Sequence, residues 1–213
     1  MTHFIDTQST VFGVDNDPIY RHVLRMILLS AGYATELFDR PEPLLSRVSP
    51  VSRGCVVTAL DLPGFDGLEL FRAARDQEIM LPFIFVSGKA SVQQAVTAMK
   101  LGAVDFLTKP VEPKTLLATV DRALLLDAQT TSERAAAEAA RARWRSLSAR
   151  EQDICRFVVK DWLNKQIALE LGVSEAAVQR QRANALKKLG VRATFELIRL
   201  LERTGEGGGG RQP

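Results

Sequence analysis

The chain has 213 residues, 46% hydrophobic and 25% charged, with a formal net charge of +3; this is the composition of an ordinary globular protein with one large or two small domains. No apolar run approaches the roughly 18 residues that a membrane helix needs, and the first residues lack the apolar core of a secretory signal. Two cysteines (Cys55 and Cys155) exclude a disulfide framework and a cysteine-built zinc site, and two histidines (His3 and His22) are too few for most metal centres, so a cytoplasmic location is expected.

Along the first 127 residues, β-rich runs alternate with amphipathic stretches. Strands are predicted at 10–14, 34–38, 55–59, 83–87 and 104–107, and helices near 18–31, 41–48, 67–76, 91–101 and 113–127. Five β-α units in succession predict an α/β, doubly wound, five-stranded parallel sheet. Phe83-Ile84-Phe85-Val86 is continuously apolar, as a strand covered by helices on both faces requires. Residues 128–146 are rich in Ala, Glu and Arg and are predicted to form a semi-rigid helical linker. From 147 to 204 the pattern is all helical, and 205–213, with four consecutive glycines, is predicted to be disordered.

The charge divides unevenly between these parts. Residues 1–127 carry 12 Lys and Arg against 15 Asp and Glu, a balance of −3; residues 128–213 carry 16 against 10, a balance of +6. A basic second half is a candidate for binding a polyanion.

That half has a local grammar. Ser148-Ala149-Arg150-Glu151 fits a capping box at a helix start, and Asn164 is predicted to cap a short helix carrying Ile167, Ala168 and Leu171. Gly172-Val173 predicts a tight turn, and Ser174 caps a helix running to about Leu189. Two helices joined by a short Gly-containing turn form a helix-turn-helix unit. On the second helix Val178, Ala185 and Leu189 face the core, which puts Gln179, Arg180, Arg182, Ala183 and Lys187 outward, with Lys165 and Arg192 flanking. Leu147-Ser148-Ala149-Arg150-Glu151, Asn164-Lys165-Gln166-Ile167-Ala168, Leu171-Gly172-Val173-Ser174, Val178 and Lys187-Lys188-Leu189-Gly190-Val191 closely resemble the LuxR-type DNA-binding domain across 147–204. The resemblance implies four helices, with the third in the major groove of double-stranded DNA and the last often used for dimerisation. Gln179 and Arg180 are the predicted base readers, because Gln pairs bidentately with adenine and Arg with guanine. Ser174, Arg182, Ala183, Lys165 and Lys187 complete the predicted interface. Neutral amides at Gln179 and Gln181 depart from the residues usual in that family.

Asp15 after the first strand, Leu62-Pro63 and Asp66-Gly67 after the third, Ser87 ending the fourth, and Gly102-Ala103-Val104-Asp105-Phe106-Leu107-Thr108-Lys109-Pro110 resemble a two-component receiver domain over about 10–127. The whole chain thus resembles a NarL/FixJ-type response regulator. In that family an aspartate ending the third strand accepts a phosphoryl group, an acidic pair after the first strand holds Mg²⁺, and a Ser or Thr and a Lys contact the phosphate. Ser87 and Lys109 match the last two roles. The acceptor position is Ala59, whose methyl cannot be phosphorylated, and the second member of the acidic pair is Asn16. With Asp15 as the main remaining metal ligand, Mg²⁺ binding is expected to be weak or absent, and no other cofactor is implied. Asp61 is the other nearby carboxylate; acceptance there would require a different loop path. Lys109 is expected to pair with Asp15 or Asp61.

The sequence reading is therefore a DNA-binding transcriptional regulator, not an enzyme, whose degenerate receiver is regulated by a partner, a ligand, dimerisation or abundance. The alternative is an interaction module that binds a histidine kinase or another response regulator without accepting phosphate. Homodimerisation or docking of a protein partner is expected on the surface around 91–127, with Val92, Met99, Leu101, Val111 and Leu117 supplying apolar area.

Overall fold

The structure, a computed structural model of the chain, describes residues 9–206. It divides into two compact units between Thr130 and Thr131.

In the first unit the order is β1 (Thr10–Val14), α1 (Pro18–Ser30), β2 (Ala34–Phe38), α2 (Pro41–Arg47), β3 (Gly54–Ala59), α3 (Gly67–Asp76), β4 (Phe83–Ser87), α4 (Val92–Lys100) and β5 (Asp105–Thr108), followed by the start of α5 (Pro113–Arg145). The strands form one sheet in the order β2-β1-β3-β4-β5, and every neighbouring pair is parallel. The predicted α/β doubly wound sheet is what the chain forms, with β5 shifted by one residue towards its carboxyl end.

Period-two alternation sorts the central strands onto two cores. Phe12, Val14, Val56, Phe83 and Phe85 face a cluster closed by Leu44, Leu70, Phe71 and Ala98 of α2, α3 and α4. Val11, Cys55, Val57, Ile84 and Val86 face the opposite cluster, closed by Leu24 and Leu28 of α1 and Leu116, Val120 and Leu124 of α5. Capping explains where the helices start. Asp17 accepts from the N–H groups of Ile19 and Tyr20, while Asp66 with Glu69 and Ser91 with Gln94 form capping boxes.

The helix predicted at 113–127 and the helical linker predicted at 128–146 run on without a break as one helix, residues 113–145. The reason is local: from 114 to 145 the chain contains neither Gly nor Pro, so the composition changes without a conformational break. The end of this stretch also contributes to packing. Ala140 and Trp144 are buried in the core of the second unit.

That unit continues with α6 (Ala149–Val158), α7 (Asn164–Leu171), α8 (Glu175–Leu189) and α9 (Thr194–Thr204). Ile154, Ile167, Val178, Ala185, Leu189 and Leu197 are fully buried at its centre. The Ser148–Glu151 capping box is present, and Ser174 caps α8 by accepting from the Ala177 N–H. Asn164, however, does not cap α7. Leu163 occupies that position and its N–H donates to Gln166 Oε1 at 2.8 Å, while the Asn164 amide oxygen accepts from Arg182. Gly172 ends α7 at φ 66, a left-handed conformation that permits the tight turn into α8. Of the tail expected to be disordered, Gly205 caps α9 in the left-handed region and Glu206 pairs with Arg156 at 3.2 Å; 207–213 lie outside the described residues, as does His3.

Candidate functional site

The parallel sheet brings loop residues together at the carboxyl ends of β1, β3, β4 and β5, the edge where open α/β sheets bind ligands. Asp15 follows β1 and is 2% exposed. Its Oδ1 accepts the Asp17 N–H at 2.9 Å and its Oδ2 accepts Lys109 Nζ at 2.5 Å. Of the two carboxylates available to Lys109, Asp15 holds it. Lys109 Nζ also lies 3.8 Å from the centre of the Tyr20 ring, a cation–π contact. Burial, with the Asp15 charge adding to it, pushes the Tyr20 phenol up to about 12. Sequence reasoning missed Tyr20, because no motif marks a residue of α1 as part of this site.

Asp61 lies exposed in the loop after β3, its Oδ2 3.4 Å from the buried Ser87 hydroxyl. Ala59 ends β3 with its methyl in the core cluster. Gly67 folds this loop tightly back, since a Cβ there would meet the Ala59 carbonyl oxygen at 2.4 Å. Asn16 is exposed, and the adjacent Asp17 is engaged in capping α1. These residues do not suit a Mg²⁺ ion, which takes near-octahedral oxygen ligation with one or two carboxylates. Both oxygens of Asp15 have partners, Asn16 is neutral, and among the described residues no group of three His, Cys, Asp or Glu converges.

On the second unit, the outward face of α8 presents Gln179, Arg180, Ala183 and Lys187, all exposed, and Lys165 is exposed on α7. An open depression of about 660 Å³ runs beside the turn, lined by Lys165, Gln166, Leu169, Gly172, Ser174 and Glu175. Two cations of α8 are engaged within the domain instead. Arg182, expected outward, is half-buried, with Nη1 3.2 Å from Asn164 Oδ1, bracing α8 against α7. Lys188 Nζ donates to Glu151 Oε2 at 2.8 Å, where it completes the capping box of α6. Gln181 holds an amide oxygen that is buried without a hydrogen-bond partner.

The expected partner surface divides. Val92 and Met99 are exposed, and Val96, not singled out from the sequence, joins them at i, i+4 and i+7 along α4. Leu101, Val111 and Leu117 are partly buried and pack against the two cores of the first unit, so they supply little docking area. Cys55 and Cys155 are both buried. Burial, reinforced by Asp127, pushes the Cys55 thiol far up, and burial with Glu151 pushes Cys155 up to about 11; neither is a reactive thiolate at neutral pH. No helix among the described residues is long and apolar enough to cross a membrane.

Residues 11–121 match the model of the response regulator receiver domain, and residues 145–201 match that of bacterial regulatory proteins of the luxR family. The response regulator protein TodT of Pseudomonas putida is 34% identical over 203 residues, covering 95% of this chain and 89% of that protein. The transcriptional regulatory protein FixJ of Bradyrhizobium diazoefficiens is 36% identical over 199 residues, covering 93% and 97%. Among solved structures, the response regulator StyR superposes with a TM-score of 0.83 at 35% identity, covering 92% of this chain and 99% of that one. Full-length FixJ from B. japonicum gives 0.57 at 35% identity, covering 93% and 98%.

Proposed function

We propose a function from one premise: the chain belongs to the response regulators that join a receiver domain to a LuxR-type helix-turn-helix domain, and is a DNA-binding regulator of the FixJ and TodT type. Its receiver is not switched by aspartyl phosphorylation. The observation that carries this reading is the alanine at the carboxyl end of β3, together with a Lys109 already paired with Asp15. A methyl group offers no oxygen to a phosphoryl donor, and a paired Lys109 is not free to stabilise transferred charge. Asp61 is the alternative acceptor nearest the site, and its contact with Ser87 is long. Control of the regulator therefore passes to a partner, a ligand, dimerisation or abundance.

In the DNA-binding domain, Gln179 and Arg180 read base edges. Lys165, Ser174, Ala183 and Lys187 contact the backbone or the groove wall, and Arg182 positions α8 from behind through Asn164. The Val92–Val96–Met99 stripe supports homodimerisation or docking of a protein partner, since an exposed apolar row on a helix is a feature of interaction faces. Sedimentation showing only monomer at micromolar concentration would remove the dimer.

The deciding experiment is incubation with acetyl phosphate and Mg²⁺ followed by intact mass. No mass increase is expected. An added phosphate on this chain overturns the reading, and peptide mapping would then identify whether Asp61 carries it.

A further inference from the structure

We propose that the DNA-binding unit carries an effector groove for a small organic carboxylate with an apolar body, set against the end of helix α8. The groove is a cavity of about 410 Å³ between the last turns of α5, the Gly190-Val191 turn and α9. That size lies within the range of small-molecule sites. It belongs wholly to the second unit and does not depend on how the receiver is controlled.

Its walls are of two kinds. Ala136, Ala139, Val191, Leu200 and the ring of Phe195 form the apolar side. Phe195 is 60% exposed, an uncommon placement for a phenyl ring, and it stands at the rim. Arg143, Arg199 and Arg203 form the cationic side. Phe195, Arg199 and Arg203 are spaced four apart, on one face of α9. Among the described residues, Arg199 and Arg203 have no ion-pair partner within 4 Å. The groove's single carboxylate, Glu196, is already engaged: its Oε2 accepts the N–H groups of Arg192 and Ala193 at 2.6 and 3.3 Å.

Charge and shape select the occupant. Planar guanidinium forks match a carboxylate, which accepts two parallel hydrogen bonds. The apolar wall selects a hydrocarbon body, and the volume limits it to a small molecule.

The placement gives the ligand a lever on DNA binding. Arg143 Nη1 reaches the Leu189 carbonyl oxygen, the last of α8, at 3.4 Å. Gly190 and Val191, which line the groove, form the turn that ends α8. A carboxylate that engages Arg143 changes the restraint on the end of the helix carrying Gln179 and Arg180. By linkage, DNA then changes the ligand's affinity by the same factor.

The test is calorimetric titration of the full chain with octanoate and with 3-phenylpropionate, using 3-phenylpropionamide and inorganic phosphate as controls. The variants are Arg199→Gln/Arg203→Gln, which removes charge at exposed positions, and Ala139→Trp, which fills the groove from an exposed position. Saturable one-site binding of a carboxylate is expected, about tenfold or more weaker in each variant, with unchanged circular dichroism. The amide and phosphate should not compete. Absence of saturable binding of both carboxylates into the millimolar range overturns the proposal, as does affinity indifferent to both variants. Equal binding of phosphate would reduce the groove to a plain anion site and also overturn it. A parallel loss of non-specific duplex affinity in the double arginine variant would reassign those arginines to DNA phosphates.

Discussion

The two units treat their charged side chains in opposite ways. At the carboxyl ends of the receiver strands, Asp15 and Lys109 are engaged with each other, and Lys109 also with the Tyr20 ring. On α8 the cations are divided: Arg182 and Lys188 hold the domain together, while Arg180 and Lys187 project into solvent. A family site whose groups are saturated by one another has little capacity left for a ligand. A helix that braces itself with some charges and exposes the rest is built for a polyanion. On the proposed reading, the same residue types thus mean closure in one place and recognition in the other, and position within the fold decides which.

The largest expected effect breaks the closed side. Lys109→Met leaves the Asp15 carboxylate, nearly inaccessible to water, without its counter-charge. Loss of one partner of a buried pair is strongly destabilising, and with Lys109 itself partly solvated about 3 kcal/mol is expected from the receiver's urea transition. Asp15→Asn combined with Lys109→Met should recover much of that loss, because no charge then remains buried. Equal loss in the single and double variants would show that the pair does not hold the site.

On the open side, Arg180→Ala and Gln179→Ala should each weaken binding to a selected duplex by about 1–3 kcal/mol and relax the base preference at one position. Fluorescence anisotropy against a randomised library reads both effects. The receiver's urea transition should not move. If both variants bind every sequence as the parent does, α8 is not the reading helix.

A finer comparison lies within α8 itself. Lys187 is exposed without an ion pair among the described residues, whereas Lys188 is engaged with Glu151. Lys187→Ala should reduce the slope of log affinity against log salt by about one, and Lys188→Ala should leave that slope nearly unchanged while lowering stability. The reverse pattern would mean that the Glu151 pair opens on DNA.

Much of this was legible before the structure. The strands declared themselves because buried parallel strands are apolar on both faces, as Phe83–Ser87 is, and the start of α8 because Ser174 is an unambiguous cap. The errors have physical causes. The change from Leu to Ala, Glu and Arg does fall beside the division at Thr130–Thr131, yet nothing in it stops a helix, so the join between α5's two compositions could not be placed from helix breakers. Arg182 lies at the edge of the outward face, and a long side chain at an edge follows its nearest acceptor, here Asn164. The choice of Asp15 over Asp61 for Lys109 could not be read from spacing, since both follow strands of the same sheet; burial decides it. Leu101, Val111 and Leu117 sit in the expected surface segment but close the cores beneath it.

The smallest effect concerns acid, and it returns to Lys188. The hydrogen bond from Lys188, aided by those from Ser148, holds the Glu151 carboxyl below the usual carboxylate range, with burial opposing. A carboxyl whose pKa is lower folded than unfolded contributes stability that is fully present above its unfolded pKa. That contribution disappears as pH falls through the folded one. The DNA-binding unit should therefore lose stability gradually on acidification from neutral pH. In Lys188→Met the folded and unfolded values draw together, so the total acid-dependent loss shrinks and its lower limit moves to higher pH. Thermal midpoints of the two proteins, followed by circular dichroism from neutral to acid, measure this. The parent should be more stable at neutral pH, and the gap should close in acid. A gap that stays constant across the range would mean that Lys188 stabilises the unit through its methylene chain, and that its charge, like those of Arg180 and Lys187, remains available to DNA.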